Sequence, residues 1–160
     1  MNAVALRAER ALVDYLAAAN WSASGAGTPT CLTSYSRGLY DDPDDQDVMP
    51  NFPRLVVSTN SARPMQRTDL TCEVEIAVEL QLSADDTDEA AVLTTVQVLD
   101  TLILPLFDDT GASALDAAAN DASGPFTAQF AAPLDFGASS ISNRSRTFTR
   151  TFTLYCSATL

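Results

Sequence analysis

The alternation of apolar and polar residues is sharpest in TCEVEIAVELQL, residues 71–82. Cys72, Val74, Ile76, Val78, Leu80 and Leu82 fall on one parity, and Thr71, Glu73, Glu75, Ala77, Glu79 and Gln81 on the other. A period of two predicts a β-strand with one buried and one wet face. Extended, such a segment spans about 40 Å, against the usual five or six residues of a strand. The closing RSRTFTRTFTLYCSATL (144–160) alternates in the same way. Phe148, Phe152, Leu154, Cys156 and Ala158 point inward, and the threonines and Tyr155 outward. Arg150 falls at inward parity among the phenylalanines. That predicts either a bulge or sheet end at Arg150, or a carboxylate partner for it in this chain or on another subunit. The bulge is the simpler expectation.

Elsewhere the period changes. Residues 3–19 read as a helix, because Ala5, Ala8, Leu12, Tyr15, Leu16 and Ala19 recur at three- and four-residue spacing. Arg7, Glu9, Arg10 and Asp14 lie mostly off that stripe. Trp21 closes the segment, SASGAGTPT (22–30) is a turn region, and CLTSY (31–35) is a short candidate strand. After a long loop from Ser36 to Phe52, RLVVSTN (54–60) predicts a strand and SARPMQRTD (61–69) a link. Residues 83–107 return to helical spacing, with Val92, Val96, Leu99 and Ile103 as the apolar face. Asp86 and Glu89 resemble a capping box at its start, and Pro105 ends it. SALDAAAN (113–120) predicts one or two helical turns capped by Ser113. A further strand runs through Phe126, Ala128 and Phe130. The order and the short links favour an α+β domain: a mainly antiparallel β-sheet with two long α-helices packed on one face. Residues 1–160 form one domain, 36–52 is its acidic loop, and there is no internal repeat.

At 160 residues, 46% apolar and 19% charged, the chain has a globular composition. Its apolar runs are interrupted by Asp, Thr or Pro before the ~20 residues that span a bilayer, and the N-terminal stretch lacks the clean apolar core of a signal peptide. The expectation is a soluble protein of a cytoplasm, with no membrane partner. Net charge is −12, with nine arginines, no lysine and no histidine. Such a chain repels phosphates instead of releasing counterions from them, which argues against nucleic acid as a bound ligand. Cys31, Cys72 and Cys156 are odd in number and far apart. They form neither a disulfide framework nor a zinc site, and Cys72 and Cys156 suit buried, reduced thiols.

Candidate chemistry is sparse. Asp41, Asp42, Asp44, Asp45 and Asp47 crowd seven positions of the loop. A calcium loop started at Asp42 would place Asp47 where glycine makes the turn and Pro53 where glutamate clamps the ion, so the motif fails. A solvated loop is the expected role. Serine or cysteine nucleophiles have no histidine or lysine to activate them. Glu73, Glu75 and Glu79 stand in a row on an open strand face, without the apolar pocket that sets two carboxyls apart for acid–base work. No catalytic residue, metal site or cofactor is expected.

The arrangement resembles a known family. An N-terminal Ala/Leu-rich helix is followed by FPRLVVSTNSARP, then TCEVEIAVELQLSADDTDEAAVLTTVQVL, then a closing RTFTRTFTLYCSATL strand. Together they look like the tail terminator (tail completion) proteins of tailed bacteriophages, whose neighbouring neck and minor tail proteins share the look. The likeness covers most of Phe52 to Leu106 and the last strand, and rests on arrangement, not on an invariant motif. The loop 36–51 and the segment 108–140 depart from it.

The resemblance implies a homo-oligomeric ring, commonly a hexamer, at the head–tail junction of the virion. Its partners would be copies of itself, the tail tube protein and a head completion or connector protein, with assembly in the host cytoplasm. DNA would pass through without being bound. The lumen-facing or interface candidates are then Glu73, Glu75, Glu79, the aspartates of the 41–47 loop, and Arg150. The alternatives are a head-side connector or minor capsid protein and, more distantly, a small acidic calcium-binding module or an enzyme using carboxylates alone.

Overall fold

The computed structural model describes residues 3–21, 31–34, 52–65, 71–85, 88–107, 115–117, 126–130, 135–137, 139–142 and 145–158. The expected turn region at 22–30, the acidic loop up to residue 51 and the caps at Asp86 and Ser113 lie outside them. In chain order the elements begin with α1 (Ala3–Ala18), β1 (Cys31–Ser34), β2 (Arg54–Pro64) and β3 (Thr71–Ser83). There follow α2 (Glu89–Ile103), a 3-10 turn (Leu104–Phe107), β4 (Phe126–Phe130), β5 (Asp135–Phe136), β6 (Ser140–Ile141) and β7 (Ser145–Ala158). The class is α+β, dominated by one sheet in the order β1-β2-β3-β7-β4, with β5 and β6 also pairing with β7. All these pairings are antiparallel except β1 with β2, which is parallel.

The two strongly alternating segments are neighbours. β3 pairs with β7 from Thr71↔Ser157 to Ser83↔Ser145 with no change of register. Even-numbered residues of both strands therefore share one face. Leu55 and Val57 of β2 join them through Leu55↔Leu80 and Val57↔Val78. α1 and α2 both contribute to the hydrophobic core on this face, with Ala5, Ala8, Leu12 and Leu16 from the first and Val92, Val98, Leu99 and Ile103 from the second. The helices also touch: the Tyr15 hydroxyl donates to the Leu102 carbonyl at 2.8 Å. Trp21 is buried and its indole N–H donates to the Leu16 carbonyl at 3.0 Å, satisfying one of the carbonyls that a helix end leaves open. Phe107 meets Phe152 edge-on, with centroids 6.3 Å apart.

Several sequence-based expectations are corrected. β2 does not end at Asn60: the ladder shifts register between Thr59 and Ser61 and continues to Pro64↔Cys72, so 61–64 is strand, not link. Pro64 is tolerated because β1 pairs only with Arg54–Val57, which leaves this end of β2 without a ladder to donate to among the described strands. The described cap of α2 is Asp88, whose carboxylate accepts from the Ala91 N–H at 3.1 Å. On α2, Val92, Leu99 and Ile103 are buried as expected, but the buried side extends to Thr95 and Val98 and leaves Val96 half-buried. Glu9 is wholly buried, not off the apolar stripe; α1 is covered on more than one side, and the Glu9 carboxylate accepts from the Thr59 hydroxyl at 3.0 Å.

The 19-residue stretch Glu89–Phe107 is, by length and composition, apolar enough to cross a membrane. Here one side of it packs on the sheet and the other leaves Leu93 and Leu104 exposed at 58% and 53%.

Burial, then the neighbouring Cys72 thiol and the Asp116 carboxylate, push Cys156 from 9.0 up to about 12. An unfolded chain sheds that proton first, so stability falls as pH rises from about 9 toward 12. Urea midpoints measured under reductant in this range should decline less steeply for Cys156→Ala than for the parent chain. Ile76→Ala, at the centre of the buried face, is expected to cost about 2–5 kcal/mol. Asp88→Ala should cost about 1 kcal/mol. Both are read from the shift of the urea midpoint at constant slope.

Candidate functional surface

Register determines what stands beside each candidate residue on the odd-numbered, outer face. Glu73 lies between Arg63 and Tyr155, Glu75 between Ser61 and Thr153, and Glu79 between Val56 and Thr149. Ala77 is flanked by Ser58 and Thr151, and Gln81 by Arg54 and Thr147. Residues two apart along a strand are about 7 Å apart on one face, so the three glutamates form a line down the middle strand with hydroxyls alongside. The Asn60 side-chain amide, at the register shift, donates to Glu75 at 3.1 Å. Thr127 and Ser157 share a hydroxyl hydrogen bond at 2.6 Å at the β4 end. Cross-strand pairs of these kinds contribute roughly 0.2–1 kcal/mol each.

This face is not uniformly wet. Glu73, Glu75, Glu79 and the β7 threonines are half-buried, Tyr155 is exposed, but Arg54, Val56, Ala77 and Gln81 are buried. The uniform polar face expected from the alternation therefore holds for the glutamate and threonine rows and fails where Val56, Ala77 and the Arg54–Gln81 row are covered. Among the described residues no group of three His, Cys, Asp or Glu side chains is placed to hold a metal ion. Carboxylates spaced along an open strand offer negative potential and hydrogen-bond acceptors.

Arg150 belongs to the other face. The register through it is continuous, Val78↔Arg150 between Ala77↔Thr151 and Glu79↔Thr149, so the expected bulge is absent. The carboxylate alternative is realised within the same chain. Arg150 donates Nε–H to Asp100 Oδ1 at 2.6 Å and Nη2–H to Oδ2 at 3.1 Å, a two-pronged pair across from strand to helix. Its Nη1 also donates to the Thr149 carbonyl at 3.1 Å. The side chains are 7% and 24% exposed, so most of the pair is removed from water.

The aspartates at 41, 42, 44, 45 and 47 lie outside the described residues. The partner that sequence reasoning missed is Asp100. It is the one charge in the apolar run 90–107, as Arg150 is the one charge at inward parity in the middle of the last strand. A lone acid in an apolar helix and a lone base in an apolar strand face are a complementary signal. Cys72 and Cys156, far apart in the sequence, are direct register partners.

Asp100→Asn removes the charge opposite a buried guanidinium and is expected to cost about 3 kcal/mol, the low end for a buried pair because Asp100 keeps partial access to water. Replacing both partners, as Asp100→Leu with Arg150→Met, should recover most of that loss. Chemical denaturation of the two variants gives the comparison. No family model matches the chain, and no curated protein matches it in sequence.

Proposed function

We propose that this chain is a structural protein of a tailed-bacteriophage virion, a tail terminator that forms a homo-oligomeric ring, six-membered by the family likeness. The ring closes the tail tube and joins it to the neck. The observation that carries the reading is the division of labour between the two sheet faces. β2, β3 and β7, of 11, 13 and 14 residues, lie side by side with both helices engaged on one face. The other face offers glutamates and threonines in rows to whatever adjoins it. Polar rows along adjoining strands suit the lining of a passage shared between copies better than they suit enclosing a substrate.

Two further features support the reading. Glu73, Glu75 and Glu79, in a chain of net charge −12, would line a channel that DNA traverses without being held. Leu93 and Leu104, eleven positions apart on the same side of the α2 segment and both exposed, suit a contact between copies. Assembly takes place in the host cytoplasm and the mature location is the virion.

Light scattering after size exclusion, with and without tail tubes, is the direct test. A ring mass is expected at least in the presence of tubes, and Leu93→Glu with Leu104→Glu should abolish it while leaving the urea midpoint of the chain unchanged. A single-chain mass under both conditions overturns the reading. Imaging of the assembled particle tests the channel: glutamates 73, 75 and 79 packed against a partner protein would reject their placement in the lumen.

A further inference from the structure

Cys72 and Cys156 are opposed across the β3–β7 ladder, one pair in from its Thr71↔Ser157 end, and both are buried thiols. Directly opposed residues of an antiparallel pair have Cα atoms about 4.5 or 5.5 Å apart, depending on whether the pair is hydrogen-bonded. A disulfide accepts Cα separations of about 4.4–6.8 Å. Either kind of pair therefore meets the Cα requirement, and because register partners share a face, both Cβ atoms leave the sheet on the same side, about 4.5–5.5 Å apart, so that closure draws them slightly together.

We infer that Cys72 and Cys156 are a latent cross-strand disulfide, closed by a small-molecule disulfide and reopened by thiol reductants, that fastens the end of the central ladder. The reaction is two successive exchanges. One cysteine loses its proton and its thiolate attacks the small disulfide, forming a mixed disulfide and releasing one small thiol. The second cysteine, deprotonated in turn, attacks the mixed disulfide at the protein sulfur, forming the Cys72–Cys156 bond and releasing the second small thiol. Two protein thiols are oxidised and one small disulfide is reduced to two thiols.

The surroundings set the rate. Cys72 is flanked by Pro64 on β2, and Cys156 by Ala128 on β4, whose N–H donates to the Asp116 carboxylate at 2.8 Å. The apolar environment and that carboxylate disfavour thiolate at Cys156, and neither sulfur is open to solvent. Exchange therefore proceeds through opening of this end of the sheet, where the ladder has one pair left. The pair stays reduced in a thiol-rich compartment and closes slowly once the chain is exposed to oxidised thiols. The inference is independent of the assembly reading, since it concerns the chain's own core.

The test uses the whole chain carrying Cys31→Ser, which removes the third thiol. It is incubated natively with oxidised glutathione, then denatured and alkylated. The expected product has lost two hydrogen masses, takes up no alkylating agent, yields a peptide joining Cys72 to Cys156, and melts roughly 5–10 °C higher until reductant is added. With Cys72→Ser added, no link and no rise in melting temperature are expected. Peptide mapping of the parent chain gives the same answer if Cys31→Ser does not fold. The inference is overturned if both thiols remain alkylatable, if only glutathione adducts form, or if closure occurs only with loss of the far-ultraviolet strand signal.

Discussion

The unbroken register between β3 and β7 governs most of what this chain can be. It holds from Thr71↔Ser157 to Ser83↔Ser145. Side chains on a strand alternate with a period of two, so a slip of one residue would send Phe152, Leu154 and Cys156 to the outer face and the threonines into the core. The register is thus held by burial along its whole length. With no bulge to absorb it, Arg150 must enter the core side, and a buried guanidinium there requires an acid. Asp100 meets that requirement from α2, so the same ladder that orders the sheet also orients the helix above it.

A pair of this kind adds little net stability, because desolvating both charges offsets much of their attraction. Its contribution is selective: other rotations or shifts of α2 along the sheet would leave the guanidinium without this carboxylate. The contact between Glu9 and Thr59 ties α1 to β2 in a comparable way. Two helices of largely apolar composition, which could slide on a smooth hydrophobic surface, are each held to the sheet by a polar contact as well. α2 has an exposed apolar side as well, and the tie keeps that side turned away from the sheet.

The sheet's margins are consistent with a surface that presents one face. On the far side of β7 the partners are three short strands in series, β4, β5 and β6, and the outer margin of β2 is covered by β1 over four residues. Short, interrupted edge strands are poor templates for uncontrolled strand addition. Association through the polar face or the exposed side of α2 would then proceed by side chains and leave the ladder intact.

The sequence alone determined the elements with strong periods: α1, β3, α2, β4, β7 and the parity of the glutamates and threonines, because local hydrophobic spacing is set by the geometry of a single strand or helix. It also carried the absence of histidine and lysine, which removes the usual activators of a nucleophile. Tertiary structure decided which strands lie side by side, that Asn60 marks a register shift within a strand instead of its end, and that Asp100 answers Arg150 from fifty residues away. It also decided that Glu9 is buried and that Cys72 faces Cys156. Those outcomes depend on pairing between segments distant in sequence, and a period read within one segment carries no information about its neighbour.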